Sequence, residues 1–188
     1  MRVIAGQYRS RPLRSLPGTD IRPTADRLRE TLFNVLCAGN PAALTATIWL
    51  DLYAGTGAVG IEALSRGAAM VYFVESSKAA TELIEQNLKS LAIQTGFQIL
   101  PADVTKALLK LASAVTRADF VFLDPPYDLQ DEYAHTLQAL TTSKLVQPST
   151  IVIAEHKKNF DPGDTFTTLR RYRTLTQSDA ALSFYRQT

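Results

Sequence analysis

The chain has 188 residues, 46% of them apolar and 20% charged, with a net charge of +2 and one cysteine, Cys37. This is a globular rather than a disordered composition, and no apolar run reaches the roughly 18 residues a membrane-spanning helix needs. A single cysteine rules out an internal disulfide, and His135 and His156 are too few and too scattered for a histidine metal site. With no signal-peptide core at the start, the composition predicts a cytoplasmic, metal-free protein and one domain. The charge is uneven: residues 1–37 carry +4, residues 38–155 carry −5 and residues 156–188 carry +3. Basic ends around an acidic centre suit a polyanion held at the ends and a small molecule in the middle.

Residues 1–16 alternate loosely (Val3, Ala5, Tyr8, Leu13, Leu16) and predict a short hairpin or arm with Arg9, Arg11 and Arg14 projecting. Pro23 and Thr24 open a helix, with Thr24 as its N-cap, and Leu28, Leu32, Val35 and Leu36 share one face. Residues 1–37 thus read as a basic extension of a domain spanning 38–188. The apolar run Thr47–Leu52 lacks polar alternation, as a strand buried on both faces of a parallel sheet does. It runs into the glycine turn Gly55-Thr56-Gly57-Ala58-Val59-Gly60 and an amphipathic helix. Strands then follow at Met70–Val74, Phe97–Leu100, Phe120–Leu123 and Ile151–Ala154, separated by helices at Ser77–Leu91, Val104–Ala114 and Gln130–Thr142. Thr167–Leu175 and Ala181–Tyr185 predict an antiparallel pair that closes one sheet edge. The alternation predicts an α/β fold of Rossmann-like topology, with ligands at the carboxyl ends of the parallel strands.

Asp51, Glu75 and Asp103 each stand at or just past the end of one of the first three predicted strands, so all three gather beside one crevice. Glu75 follows Gly55 by 20 residues, where an acid can accept from both ribose hydroxyls, and Asp103 is placed to accept from an adenine amine. On its own this G-x-G-x-x-G turn suits NAD as well as any other adenosine-containing ligand. Asp124-Pro125-Pro126-Tyr127 narrows the choice. Two prolines remove two N–H donors, so the loop presents acceptors, the Asp124 carboxylate and the Pro125 carbonyl. Two acceptors about 3 Å from one nitrogen suit an amino group, and Tyr127 offers a flat face for a base.

With Asp51–Gly57, Glu75, Asp103 and Asp124–Tyr127, the sequence resembles the class I S-adenosylmethionine-dependent methyltransferases that act on amino groups. The opening Arg2-Val3-Ile4-Ala5-Gly6, the segment Arg22-Pro23-Thr24 with Arg27 and Glu30, and the closing Leu182–Arg186 are more particular. Together they resemble the RsmD family, bacterial 16S ribosomal RNA guanine-N2 methyltransferases. The resemblance runs nearly end to end and implies a seven-stranded sheet with its last strand antiparallel. It implies S-adenosylmethionine as methyl donor and, as target, one guanine of 16S rRNA (position 966 in the family's usual naming) within a partly assembled small subunit. It also implies that Asp51, Ala54, Gly55, Gly57, Glu75 and Asp103 form the cofactor site and that Asp124, Pro125, Pro126 and Tyr127 grip the flipped guanine. Under that reading Arg9, Arg11, Arg22 and Arg27 include phosphate contacts, and a monomer is expected. Phe184 and Tyr185 read as core. DNA adenine and protein glutamine methylation share the acceptor-loop chemistry, and an NAD-binding oxidoreductase shares the glycine turn. The family's usual Gly-Asp-Thr triplet before the last strand is replaced here by Ser178-Asp179-Ala180, which bears on the final hairpin.

Overall fold

The computed structural model describes residues 1–15, 23–115 and 117–188. Helices and strands alternate as α1 (Pro23–Leu36), β1 (Ile48–Leu52), α2 (Ala58–Ser65), β2 (Met70–Glu75), α3 (Lys78–Ser90), β3 (Phe97–Pro101), α4 (Val104–Ala114), β4 (Phe120–Leu123) and α5 (Asp131–Thr141). The chain ends in strands β5 (Ile151–Lys157), β6 (Thr165–Phe166), β7 (Leu169–Gln177) and β8 (Ala180–Gln187). They form one sheet in the order β3-β2-β1-β4-β5-β8-β7-β6. β1 to β5 are mutually parallel, and β8 enters antiparallel between β5 and β7. Seven of these strands make up the expected sheet. The eighth, β6, is a two-residue addition to β7, too short to carry a sequence period. β5 runs past Ala154 to Lys157 because β8 pairs with the extension, Glu155 with Leu182 and Lys157 with Ala180.

The sheet is covered on both faces, which is why its central strands read as unbroken apolar runs. Trp49, Phe73, Phe122, Ile153 and Phe184 point to the face occupied by α1, α2 and α3. Leu50, Leu52, Val121, Val152 and Tyr185 point to the face occupied by α4 and α5. Phe184 and Tyr185 are fully buried, as core residues should be. The departure at Ser178 is absorbed locally. Ser178 takes a φ of 55° in the tight connection that pairs Gln177 with Ala180, a left-handed position where glycine is free of penalty. No helix among the described residues is long and apolar enough to cross a membrane.

The basic N-terminal segment is built into the same core. The expected hairpin is a single bridge between Arg2 and Pro12, with backbone bonds from Val3 to Arg11 and from Ser10 to Val3 (3.0 and 2.9 Å). Its anchor is Glu62 of α2, a fully buried carboxylate that accepts the N–H groups of Ile4 and Ala5 at 2.7 and 3.0 Å. Arg66 donates to the same carboxylate at 2.7 Å, and Arg29 of α1 lies 4.0 Å away. A carboxylate tolerates such burial only when paired and hydrogen-bonded. α1 begins at Pro23, which has no N–H to leave unpaired, and the Thr24 side chain expected to cap it lies outside what is described. Leu28, Leu32 and Phe33 are buried from this helix, with Val35 and Leu36 packed more loosely. Leu16 and the expected phosphate contact Arg22 lie outside the described residues.

Candidate active site

β1 ends in a tight turn that aims α2 back along the sheet. Tyr53 has a left-handed φ of 60°, Ala54 N–H donates to Val74 O at 3.0 Å, and Gly57 N–H closes the turn on Ala54 O at 2.7 Å. The three glycines serve different needs. A Cβ on Gly60 would lie 2.3 Å from the Phe73 ring, 2.7 Å from Val71 and 2.9 Å from Asp51 Oδ2, so this glycine lets helix and strand touch. Gly57 starts α2 in the left-handed region. Gly55 is the opposite of Gly60. A Cβ there would meet nothing closer than Tyr53 O at 3.9 Å, because the residue faces the cleft.

Carboxylates hold this turn in place. Glu75 accepts from Gly55 N–H with one oxygen (2.9 Å) and from Ser77 N–H with the other (2.8 Å). Each oxygen retains a lone pair for a ligand hydroxyl. Asp51 does not line the cleft. It is buried beneath the turn, where Oδ2 accepts from Gly60 N–H at 2.9 Å. Burial pushes its carboxyl up to about 8, opposed by the Gly60 bond and reinforced by the nearby Asp124 and Glu75 charges. Asp103 caps α4 through Lys106 N–H (2.9 Å) and pairs with Lys106 Nζ (2.8 Å), which keeps its carboxyl below the usual range. Ala54 and Gly57, like Asp51, shape the turn from behind. Gly55, Glu75 and Asp103 face the cleft.

The cleft has a volume of about 1370 Å³ and continues from this turn across the carboxyl ends of β4 and β5. Asp124, Pro125, Pro126 and Tyr127 form its opposite wall, as expected, together with Glu155, Lys157 and Lys158. β4 and β5 pair in parallel with Leu123 beside Ala154, so Asp124 and Glu155 follow side by side, strands being about 4.8 Å apart. Both point to the face of Phe122 and Ile153, by the two-residue period of a strand. Burial pushes Asp124 up to about 7. Glu155 is raised well above its ordinary value by burial and then by Asp124, against the pull of Arg29. Neither carboxylate accepts a hydrogen bond from any described residue. Lys157 Nζ sits 5.1 Å from the centre of the Tyr127 ring, which is 36% exposed.

Several residues in the wall or supporting it from behind were not singled out from the sequence. Tyr53 donates its hydroxyl to Glu132 at 2.8 Å and contacts Thr136 Oγ1 at 2.7 Å, tying the glycine turn to α5. Tyr133, also on α5, donates to the carbonyl of Glu155 at 2.8 Å. Glu155 had a legible signal, since it follows the apolar run Ile151–Ala154 just as Asp124 follows Phe120–Leu123. The tyrosine bonds had none, because they join residues 79, 83 and 22 positions apart. Of the arginines assigned to RNA, Arg9, Arg11 and Arg27 are exposed, and Arg11 also donates to Ser90 O at 3.2 Å. Arg29, which looks equivalent in sequence, is buried and donates to Arg2 O at 2.6 Å and Asp26 at 3.0 Å.

A family model described as Conserved hypothetical protein 95 matches residues 1–186. The sequence is 32% identical over 187 residues to the Bacillus subtilis protein named "Putative rRNA methyltransferase YlbH", covering 100% of this chain and 99% of that one. It is also 32% identical over 159 residues to Ribosomal RNA small subunit methyltransferase D of Haemophilus influenzae, covering 85% of this chain and 80% of that one. The solved structure of the Escherichia coli protein described as "Putative methyltransferase yhhF" matches at a TM-score of 0.80 and 27% identity, over 100% of this chain and 97% of that one.

Proposed function

This chain belongs to the RsmD family, and from that premise we propose that it transfers a methyl group from S-adenosylmethionine to the N2 amine of a guanine in 16S ribosomal RNA. The observation that carries the reading is the two-sided cleft. One wall carries carboxylates already bonded to the glycine turn and to the start of α4, and the other is a pair of acceptors facing the cleft with no donor among the described residues. Its 1370 Å³ exceed the roughly 300–1,000 Å³ of a usual small-molecule pocket, leaving room for a cofactor and an extruded base together. The names of the Bacillus and Haemophilus relatives support ribosomal RNA as the substrate. The antiparallel β8 departs from the all-parallel sheet of dinucleotide-binding folds and weighs against NAD.

The residues present fit the cofactor. Gly55 leaves the turn open to the cleft, Glu75 keeps lone pairs for the ribose hydroxyls, and Asp103, on the same wall, would accept from an adenine amine. When bound, S-adenosylmethionine supplies a methyl group on a sulfonium, whose departure leaves a thioether. The protein prepares the nucleophile. Asp124 and the Pro125 carbonyl accept the two N2–H bonds and draw the nitrogen lone pair out of the ring, so that it can form the new N–C bond. The amine sheds one proton as it does so, and Asp124, raised to about 7, is matched to receive it near neutral pH. Exposed Arg9, Arg11 and Arg27, with Lys157 and Lys158 on the cleft wall, hold the phosphate backbone, and residues 1–37 act as the RNA-holding extension of residues 38–188.

The test supplies labelled S-adenosylmethionine with small subunits lacking N2-methylguanine, free 16S RNA, duplex DNA and bulk protein. Label on a guanine N2 in the subunit or its RNA is the expected result, and label confined to DNA or protein overturns the substrate. S-adenosylhomocysteine should raise the melting temperature where NADH does not, since a ligand selective for the folded state stabilises it. The converse overturns the cofactor.

A further inference from the structure

We propose that Glu155 is the residue that selects guanine, accepting the base's N1–H while Asp124 accepts from the N2 amine beside it. This rests on the methyl-transfer reading above and names a residue and a contact that the reading itself does not need.

The argument starts from which donors each base offers. On its pairing edge guanine alone presents two adjacent donors, N1–H and N2–H₂. Adenine and cytosine pair one amine with a bare ring-nitrogen acceptor, and uracil flanks its single N–H with carbonyls. A wall made of two neighbouring acceptors therefore matches guanine and mismatches the other three bases. The structure supplies such a wall. Asp124, just past the end of β4, and Glu155, within β5, directly follow the paired residues Leu123 and Ala154, point to the same face and both line the cleft. No described residue donates to either carboxylate, in contrast to Asp51, Glu75 and Asp103, each of which already holds a donor.

The supports of the pair are also in place. Tyr133 holds the Glu155 carbonyl from α5, which fixes the backbone at this strand position. Arg29 on α1 is the cation that acts on Glu155, while Asp124 opposes it from the neighbouring strand. Two carboxyls set side by side in a partly buried wall repel when both are charged, and Asp124 adds to the burial that holds the Glu155 carboxyl above its ordinary range. Guanine's two donors relieve that repulsion. A base with a bare acceptor at N1 brings no second donor to relieve the repulsion, and a site built around a hydrogen bond discriminates strongly against a partner that cannot make it.

The experiment compares small subunits reconstituted from RNA carrying either guanine or 2-aminopurine at the methylated position. 2-Aminopurine keeps the amine at C2 but has an unprotonated acceptor at N1. Wild-type protein should favour guanine by about 100-fold or more in kcat/KM. In Glu155→Gln, whose amide can donate to a bare N1, that preference should narrow by about 10-fold or more, and Glu155→Ala should narrow it as well. Any intrinsic difference in reactivity between the two amines cancels in the comparison of ratios. An unchanged melting-temperature rise with S-adenosylhomocysteine shows that each variant folds and keeps its cofactor half. A ratio identical to wild type, even with lower overall activity, overturns the role of Glu155 and leaves the methyl-transfer reading standing. No methyl on guanine N2 from the wild-type protein overturns that reading and this inference with it.

Discussion

The two walls of the cleft use carboxylates in opposite ways. On the glycine-turn side, each acid is consumed by the protein: Asp51 by Gly60, Glu75 by Gly55 and Ser77, Asp103 by Lys106. The result is a rigid cradle whose backbone is fixed before any ligand arrives. On the other side, Asp124 and Glu155 stand in register with no protein donor to either carboxylate among the described residues, and both are pushed toward the neutral form. A cradle for a ligand that is merely held gains from satisfied groups. A wall that acts on an amine needs acceptors kept in reserve, at a cost in folded-state repulsion. Sites where the local rules are broken are where function concentrates, and here the break falls on one wall only.

The comparison predicts that the walls can be broken separately. Asp124→Ala should lower methyl transfer by about 1,000-fold or more while the melting-temperature rise with S-adenosylhomocysteine stays near the wild-type value. Removing one of two repelling acids should not destabilise the fold. Near-normal turnover in this variant would remove Asp124 from the chemistry, and loss of the ligand response would merge the two walls into one.

The part of this arrangement legible in the sequence was the part written in local patterns. The unbroken run Thr47–Leu52 announced a doubly covered strand, and the α4 and β4 spans matched the structure residue for residue, because apolar periodicity and flanking acids fix both ends. Apolar runs ending in an acid located Glu75 and Asp124. The same rule applied to Ile151–Ala154 reaches Glu155, but no proline pair follows that acid to mark a loop of acceptors as one follows Asp124. What stayed hidden depends on distant partners. Arg29 and Arg27 look alike in sequence, yet one is buried over Glu62 and the other is exposed, because only α1 docking on α2 distinguishes their faces. The extension of β5 to Lys157 likewise needs β8 beside it.

A middle-sized effect separates two glycines of the same turn. Gly60→Ala places a Cβ against Phe73, Val71 and Asp51, and overpacking of this kind should cost about 3 kcal/mol of stability, read by chemical denaturation. Gly55→Ala meets no neighbour, so its stability cost is the left-handed backbone alone, about 1–2 kcal/mol at a φ of 54°. Its larger consequence should be a weakening of S-adenosylhomocysteine binding by about 10-fold, because the methyl projects into the cleft. The two variants should therefore exchange rank between the stability and the binding measurement. If they keep the same rank in both, Gly55 is a structural glycine like Gly60 and the cradle lies elsewhere.

The last effect is spread over pH and concerns Asp51, which is buried beneath the turn and senses the Asp124 charge on the other wall. Its carboxyl titrates near 8 when folded and near 3.9 in an unfolded chain. Between those values the unfolded chain has released a proton that the folded protein keeps, so this group's stabilisation is complete below about pH 3.9 and is lost as pH rises through about 8. Asparagine retains an oxygen for Gly60 N–H but does not titrate. Whatever constant offset the amide introduces, the melting temperature of Asp51→Asn relative to wild type should climb between pH 5 and pH 8. Asp124 contributes a slope of the same sign in both proteins, so the difference reads Asp51 together with its coupling to Asp124. Parallel curves would mean that Asp51 is ionised in the folded protein at neutral pH. The negative charge beneath the glycine turn would then be permanent, and the cradle would carry the same electrostatic strain as the wall it faces.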